Sequence, residues 1–510
     1  MTDHAATTPS GRLTRVELRR GAYHDSVTLM QLSRAVAQTP GVSAAQVAMA
    51  TELNIEVLGT MGFAVPDEAG PNDLVIAVAA DSAEAVAAGV EAAEAALAAT
   101  RRRPASGGMG STAVEPLTLG SAVRRSEANL VVISVPGASA ATEAFDAIDS
   151  GASVMLFSDN VPVEQEVALK DAGAAAGVLV MGPDCGTAVV GGIALGFANV
   201  GRRDVDPTVG LVAASGTGAQ QVMCLLDAAG LGVTHCLGVG GRDLGAAVAG
   251  RSTRQALAAL DADPQTRSIV IVSKPADPAV LADLQDFVAS LDTPVRWATL
   301  GAGRPDLTTA VEDVLRAEGR PVPEWPVWAH QDASVSGSLR GLFCGGTLAD
   351  EAMLVAQESL GPIRSNIPLS PELALGLGLA SDGHAVIDFG DDQMTRGRAH
   401  PMIDPSLRLE RIAAEADDPS CGVLLLDLVL GYGSHPDPGG ELAAAIAAAR
   451  HSRTQAGGHL PVVVSLTGTL GDPQDFDAVA TALHAAGASV YLSNAAATRH
   501  AVSLLEGSAS

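Results

Sequence analysis

The sequence predicts a multi-domain α/β protein built on buried parallel sheets. Three observations predict it. Short apolar runs alternate with helical stretches along most of the chain, the pattern of strands whose two faces are covered by crossover helices. Several runs lead into a Gly-rich loop and then a helix, as in SGTG at 215–218 and CGGT at 344–347. The composition is 47% apolar but only 3% aromatic over 510 residues, so the cores are Ala, Val, Leu and Gly in closely packed βα units. A chain of this length exceeds one core, and roughly 100–200 residues per domain gives three or four.

The elements follow in order. Residues 1–12 read as a loose tail. A small α+β domain is expected over 13–100, with a helix in VTLMQLSRAVAQ (27–38), a strand in LVIAVAA (74–80) and an Ala-rich helix to Ala99. RRRPASGGMGST (101–112) reads as a linker, basic and then Gly/Ser-rich. A second domain, 113–205, carries LVVISV (130–135), SVMLF (153–157) and GVLVM (177–181). A third, 206–318, carries VGLVA (209–213) and IVIVS (269–273), with a helix beginning near Gln220. RPVPEWPVWAH (320–330) reads as a second linker. The rhythm restarts over 335–507 with LRGLFC, AVIDF, GVLLLDLVL, PVVVSL and ASVYL.

Charge narrows the partners. The formal net charge is −27, from 31 Lys+Arg and 58 Asp+Glu. Such a surface repels nucleic acid and anionic lipid, so neither is expected to bind. The five cysteines are scattered without a CxxC pair, which is neither a disulfide framework nor a zinc site. The N-terminus lacks the apolar core of a signal peptide, and no uninterrupted run of about 18 apolar residues occurs. The expected compartment is the cytoplasm.

Ligands of open parallel sheets bind beyond the carboxyl ends of the strands, so the loops there hold the candidate residues. Ser215, Gly216, Thr217 and Gly218 can bring backbone N–H groups and two hydroxyls to an anion at a helix start, or form an ordinary N-cap. In MGPDCGT (181–187), Asp184 can hold a ligand or cap the loop; Cys185 reads better as a small buried residue than as a nucleophile; Gly182 and Gly186 permit the turn. In GVGGRD (238–243), Arg242 beside Gly240 and Gly241 suits a carboxylate or phosphate, or pairs with Asp243. Gly345, Gly346 and Thr347 repeat the strand–glycine–helix pattern. The loop 388–405 gathers Asp391, Asp392, Arg396, Arg398, His400 and Asp404, and GYGSHPDP places His435 and Asp437 after a strand. Together His, Asp and Arg can serve as base, acid and anion clamp, or as loop-stabilising salt bridges. No HxxxH-type spacing is present, and no metal site is expected.

Taken together, HDSVTLM (24–30), SDNV (158–161), MGPDCGTA (181–188), FANV (197–200), ASGTG (214–218), GGRDL (240–244), VSKP (272–275), GGTL (345–348), IDFGDD (387–392) and RAHPMIDPSLR (398–408) resemble the FdrA family through most of the chain. FdrA proteins in turn look like a fusion of pieces of the succinyl-CoA synthetase architecture. The resemblance implies that 113–205 is a Rossmann-like CoA-binding-type domain and that 206–318 and 335–507 are flavodoxin-like ligase-type domains. It also locates a departure. The synthetases carry a phosphoryl group on a His in a Gly-His-Ala-Gly loop. The corresponding stretch here, WATLGAGRPDLTTA (297–310), has Gly301 and Gly303 but no His. Where the synthetases place a Glu to orient that His, this chain has Ser273, Lys274 and Pro275.

The resemblance implies a subunit of a ureido-acid carbamoyltransferase in purine catabolism, working with co-encoded partner subunits in an oligomeric complex on small anionic substrates. Phosphate and carbamoyl phosphate are then substrates. An acyl-CoA synthetase using CoA and ATP, or a non-catalytic assembly subunit, are the alternatives. Phosphate attack on a ureido carbonyl needs two anions held together and donors on the developing oxyanion. Lys274 and Arg242 are the expected groups, with His400 and His435 as candidate catalytic residues from the last domain. Asp184, Cys185, Gly186, Gly240, Gly241, Asp391, Asp392 and Arg398 join the SGTG and GGT loops as expected contacts to substrate or phosphate.

Overall fold

The computed structural model describes residues 3–7, 13–22, 24, 26–66, 68–101, 116–202, 205, 207–376, 378–395 and 399–506. The chain divides into two compact units. One is Met1–Leu117 with Thr395–Ala399; the other is Thr118–Met394 with His400–Ser510.

The smaller unit is an antiparallel sheet in the order Asp3–Thr7, Leu13–Arg19, Leu74–Ala80, Val42–Met49. The strand Leu74–Ala80 is buried throughout, and its period of two explains why. Leu74, Ile76 and Val78 join the core under the helices Ser26–Ala37 and Ala83–Arg101; Val75, Ala77 and Ala79 join Leu58 and Phe63 on the other face. The expected helix at 27–38 is Ser26–Ala37. Most of the expected linker, residues 102–112, lies outside the described residues.

The larger unit holds three sheets. The first pairs Leu130–Ile133, Ser153–Leu156 and Val180–Met181 in parallel. The second runs Val295–Thr299, Ser268–Ser273, Pro207–Ala214, Gly232–Gly238, Thr187–Val190, Ile193–Gly196. Its first four strands are parallel, and the last two form a hairpin attached antiparallel at Cys236↔Val189. That hairpin corrects the expected boundary near 205, since residues 187–196 belong to the following sheet. The third sheet runs Val327–Trp328, Ala488–Tyr491, Val462–Thr467, Cys421–Val429, Ser338–Phe343, Ala385–Asp388, Arg364–Ser365. It is parallel except at Val327–Trp328, which pairs antiparallel with Tyr491 and Val490. The second expected linker thus supplies an edge strand, and Trp325 Nε1 donates to Glu312 at 3.1 Å.

Register aligns the strand ends that matter. Ala214, Ser273 and Thr299 lie side by side in one sheet, and Phe343 pairs with Asp388 in the other. The two larger sheets share one continuous core. Between them runs the helix Gly216–Ala228, buried at every residue from Gly218 to Asp227. Its buried Gln220 and Gln221 are accommodated by donating to the Phe197 and Leu492 carbonyls. It begins at Gly216, so the SGTG loop is its first turn rather than a lead-in to a helix near Gln220.

Candidate functional site

Two helices start where the central strands end: Gly216–Ala228 after Pro207–Ala214, and Gly346–Leu360 after Ser338–Phe343. Their first turns meet. Ser215 Oγ accepts from Gly218 N at 2.9 Å and lies 2.6 Å from Thr347 Oγ1. A Cβ on Gly345 would sit 2.9 Å from Thr217, and one on Gly218 would sit 2.9 Å from Thr347. The Ser215 and Thr347 hydroxyls are therefore occupied by a cap and by contact between the loops. Gly216 remains exposed, and a Cβ there would meet only Thr187 Oγ1 at 3.8 Å.

The open chemistry lies beside these turns, at Lys274. The residue follows the strand Ser268–Ser273. The contacts of Gly346 locate its ammonium: a Cβ there would lie 3.0 Å from Lys274 Nζ and 2.8 Å from Asp388 Oδ2. Among the described residues Nζ has no hydrogen-bond or ion-pair partner. Three carboxyls feel its charge. Asp350, in the helix Gly346–Leu360, is pushed up to about 6 by burial against the pull of Lys274. Asp388 is pushed up to about 7 by burial, with Lys274 and the Gly390 N–H opposing and Asp427 adding repulsion. Asp184 is exposed as a residue, but neighbouring atoms crowd its carboxyl. Desolvation there and repulsion from Asp392 raise it to about 7.

The loops are held by interior bonds. Asp427 accepts from Cys344 N at 2.8 Å and Gly345 N at 2.9 Å, and Arg408 Nη1 donates to it at 2.7 Å. Asp184 N donates to Ser158 O, and Gly182 N to Gly238 O. Gly240 has φ +91, and a Cβ there would strike Pro183 O at 2.7 Å. Gly240 thus serves close packing between two loops, which corrects its expected place against substrate. Gly186 packs on Phe197 in the same way. Cys185 is likewise corrected: it is buried, Sγ contacts the Thr187 carbonyl at 3.6 Å, and burial pushes the thiol up to about 12.

Arg242 donates from Nη2 to the Val161 carbonyl at 2.8 Å and forms an ion pair with Glu166, Nη2 to Oε2 at 2.8 Å, while its side chain stays 46% exposed. Asp243 does not pair with it. Asp243 is buried, accepts from Ser252 N and Thr253 N, and binds Lys170 Nζ at 2.7 Å. Lys170 also binds Glu166 at 2.7 Å.

The two histidines part company. His400 Nδ1 accepts from Met402 N at 3.3 Å, which leaves the proton on Nε2. That nitrogen would lie 2.8 Å from a Cβ on Gly390, itself 3.1 Å from Asp388 Oδ1. Burial and Arg408 push His400 down to about 4, so its ring is neutral near pH 7. His435 is buried, accepts from Asp437 N at 2.9 Å and lies 3.3 Å from Glu441. These contacts tie it to the start of the helix Pro438–Gln455, a structural place rather than the expected catalytic one. Asp391 and Asp392 open the short helix Asp392–Thr395 beside Asp388. Arg398 lies outside the described residues.

Sequence reasoning missed Asp388, Asp350 and Glu166. The first had a signal, being the last residue of an apolar run. Asp350 and Glu166 sit inside helices, where a carboxylate ordinarily faces water. Among the described residues no group of three His, Cys, Asp or Glu is placed to hold a metal ion, and no helix is long and apolar enough to cross a membrane.

A family described as CoA-ligase matches residues 342–504, and one described as AllF, heavy metal-associated domain, matches residues 12–114. Succinate–CoA ligase [ADP-forming] subunit alpha 2 of Archaeoglobus fulgidus is 29% identical over 191 residues, 36% of this chain and 63% of that one. Among solved structures, the dinucleotide-forming acetyl-coenzyme A synthetase 1 of Ca. Korarchaeum cryptofilum is 18% identical, covering 75% of this chain and 83% of its own, with a TM-score of 0.27. The parallel sheets and the matched domain make this a CoA-ligase-type α/β protein with a small N-terminal domain. YahF of Escherichia coli (strain K12), itself uncharacterised, is 38% identical over 483 residues, 89% of this chain and 91% of that one. The chain belongs to the YahF family.

Proposed function

We propose that this chain is a subunit of a group-transfer enzyme that uses the CoA-ligase architecture to move a carbamoyl group between a ureido acid, such as oxalurate, and phosphate. The observation that carries the reading is the unpartnered ammonium of Lys274 at the carboxyl ends of two parallel sheets, close to Asp388 and within the field of Asp350, two carboxyls whose pKa burial raises. The FdrA resemblance and the lack of a His in residues 297–310 support transfer without a phosphohistidine.

In this reading Lys274 neutralises phosphate, and the exposed first turn at Gly216 faces the same charge. A phosphate oxygen attacks the ureido carbonyl carbon. The new C–O bond forms as the C–N bond to the acid's amide nitrogen breaks. The proton that leaves phosphate ends on that nitrogen, giving carbamoyl phosphate and oxamate. Asp388, near neutrality, can carry the proton. The neutral His400 Nε2–H can donate to the developing oxyanion.

The test is reconstitution with co-encoded partner proteins, assaying carbamoyl phosphate from oxalurate and phosphate. Activity of the complex and none of the isolated chain is the expected result. Acyl-CoA ligation is the second reading, favoured by the CoA-ligase match over residues 342–504. It requires CoA-dependent consumption of ATP with a simple carboxylic acid, and a stoichiometric phosphohistidine on the chain would point to it.

A further inference from the structure

A groove of about 290 Å³ runs between the Gly241–Val248 loop and Ser273–Ala276. Its two cations are Arg242 and Lys274, and its walls are apolar: Val163, Leu244, Ala246 and Val248. Arg242 is not a free surface arginine. Its Nη2 donates to the Val161 carbonyl and forms an ion pair with Glu166, which is 1% exposed. Glu166 is fixed in turn by Lys170, which Asp243 and the Val239 carbonyl hold from the other side. A guanidinium anchored along one edge has its remaining N–H donors directed elsewhere and loses little freedom when they engage an anion. Nε and Nη1 have no partner among the described residues. Arg242 and Lys274 both line this one groove.

We propose that this groove binds a short acid carrying two negative charges, one end on Lys274 and the other on the free edge of Arg242. The inference rests on the functional reading for its location and adds the ligand class. The acid must be dianionic in its bound form, and its stem must be short and unbranched. A cavity at the small end of the usual range for ligand sites does not enclose a nucleotide. Lys170, Glu166 and Asp243 act as positioning residues that aim Arg242.

The test is calorimetric titration of the full chain with malonate, succinate and glutarate, each against its half-amide of equal length. At least one diacid should bind about tenfold or more tightly than its half-amide. Arg242→Gln, whose amide can still donate to the Val161 carbonyl, should bring each pair to within about twofold. Lys274→Met should do the same and guards against a failure of Arg242→Gln to fold. Equal binding of diacid and half-amide overturns the proposal, as does a preference that survives Arg242→Gln, or no diacid binding below about 10 mM. The two readings fail separately. Diacid binding without carbamoyl phosphate formation by the complex leaves the groove and removes the transferase. Turnover undiminished in Arg242→Gln does the reverse.

Discussion

The chain contains two lysines, Lys170 and Lys274, and its other basic residues are arginines. Neither lysine serves as ordinary surface charge. Lys170 is fully buried, with Glu166 and Asp243 each at 2.7 Å and the Val239 carbonyl at 2.9 Å. Lys274 is half-buried at a strand end, near three carboxyls and bonded to none. One ammonium has three acceptors for its three donors. The other has its charge partly balanced from a distance and its donors unused. A saturated lysine holds structure together, whereas an unsaturated one in a cleft is ready for a ligand.

The largest expected effect is on the structural side of this comparison. Lys170→Met leaves Asp243 buried without its cation and Glu166 with Arg242 alone, which costs about 3–5 kcal/mol. Thermal unfolding should show a large fall in Tm or an insoluble chain. Lys274→Met should change stability by no more than about 0.5 kcal/mol, because no bond is lost. Similar Tm values for the two variants would erase the distinction.

Gly346→Ala sharpens it further. The added methyl would sit 3.0 Å from Lys274 Nζ and 2.8 Å from Asp388 Oδ2, so both groups must move. A displacement of this kind should lower turnover about tenfold or more, with KM for phosphate rising. Unchanged kinetics would place the reacting groups elsewhere.

The smallest effect is read in pH. The native state holds the Asp388 proton up to about 7, whereas an unfolded Asp releases it near about 4. The native state therefore binds more protons between these values, and this group's contribution to stability falls as pH rises through that window. Asp388→Asn keeps the acceptor for Gly390 N and removes the titration. The variant should match the parent Tm near pH 5 and exceed it by about 2–4 °C near pH 8. A parent and variant with parallel Tm profiles would contradict the burial of an ionisable Asp388.

The sequence makes the strand rhythm legible because buried parallel strands are continuous apolar runs, as in SIVIVS at 268–273 and VVVSLT at 462–467. Lys274 was legible for the same reason: it is the charged residue where such a run stops. What escaped depends on distant pairing. Val327–Trp328 has too few residues to show periodicity and becomes a strand only by meeting Val490 and Tyr491. The anchor of Arg242 is Glu166, far away in sequence and on the helix Val163–Ala176. SGTG and GGT each read as anion loops, but the Ser215 and Thr347 hydroxyls engage each other because the two helix starts meet, a relation no local pattern encodes.

The most direct measurement is formation of carbamoyl phosphate from oxalurate and phosphate by the reconstituted complex, with the parent chain and with Lys274→Met. The account predicts turnover by the parent, a loss of about 100-fold or more in the variant, and equal Tm for the two chains. A Lys274→Met complex that turns over at the parental rate would contradict it.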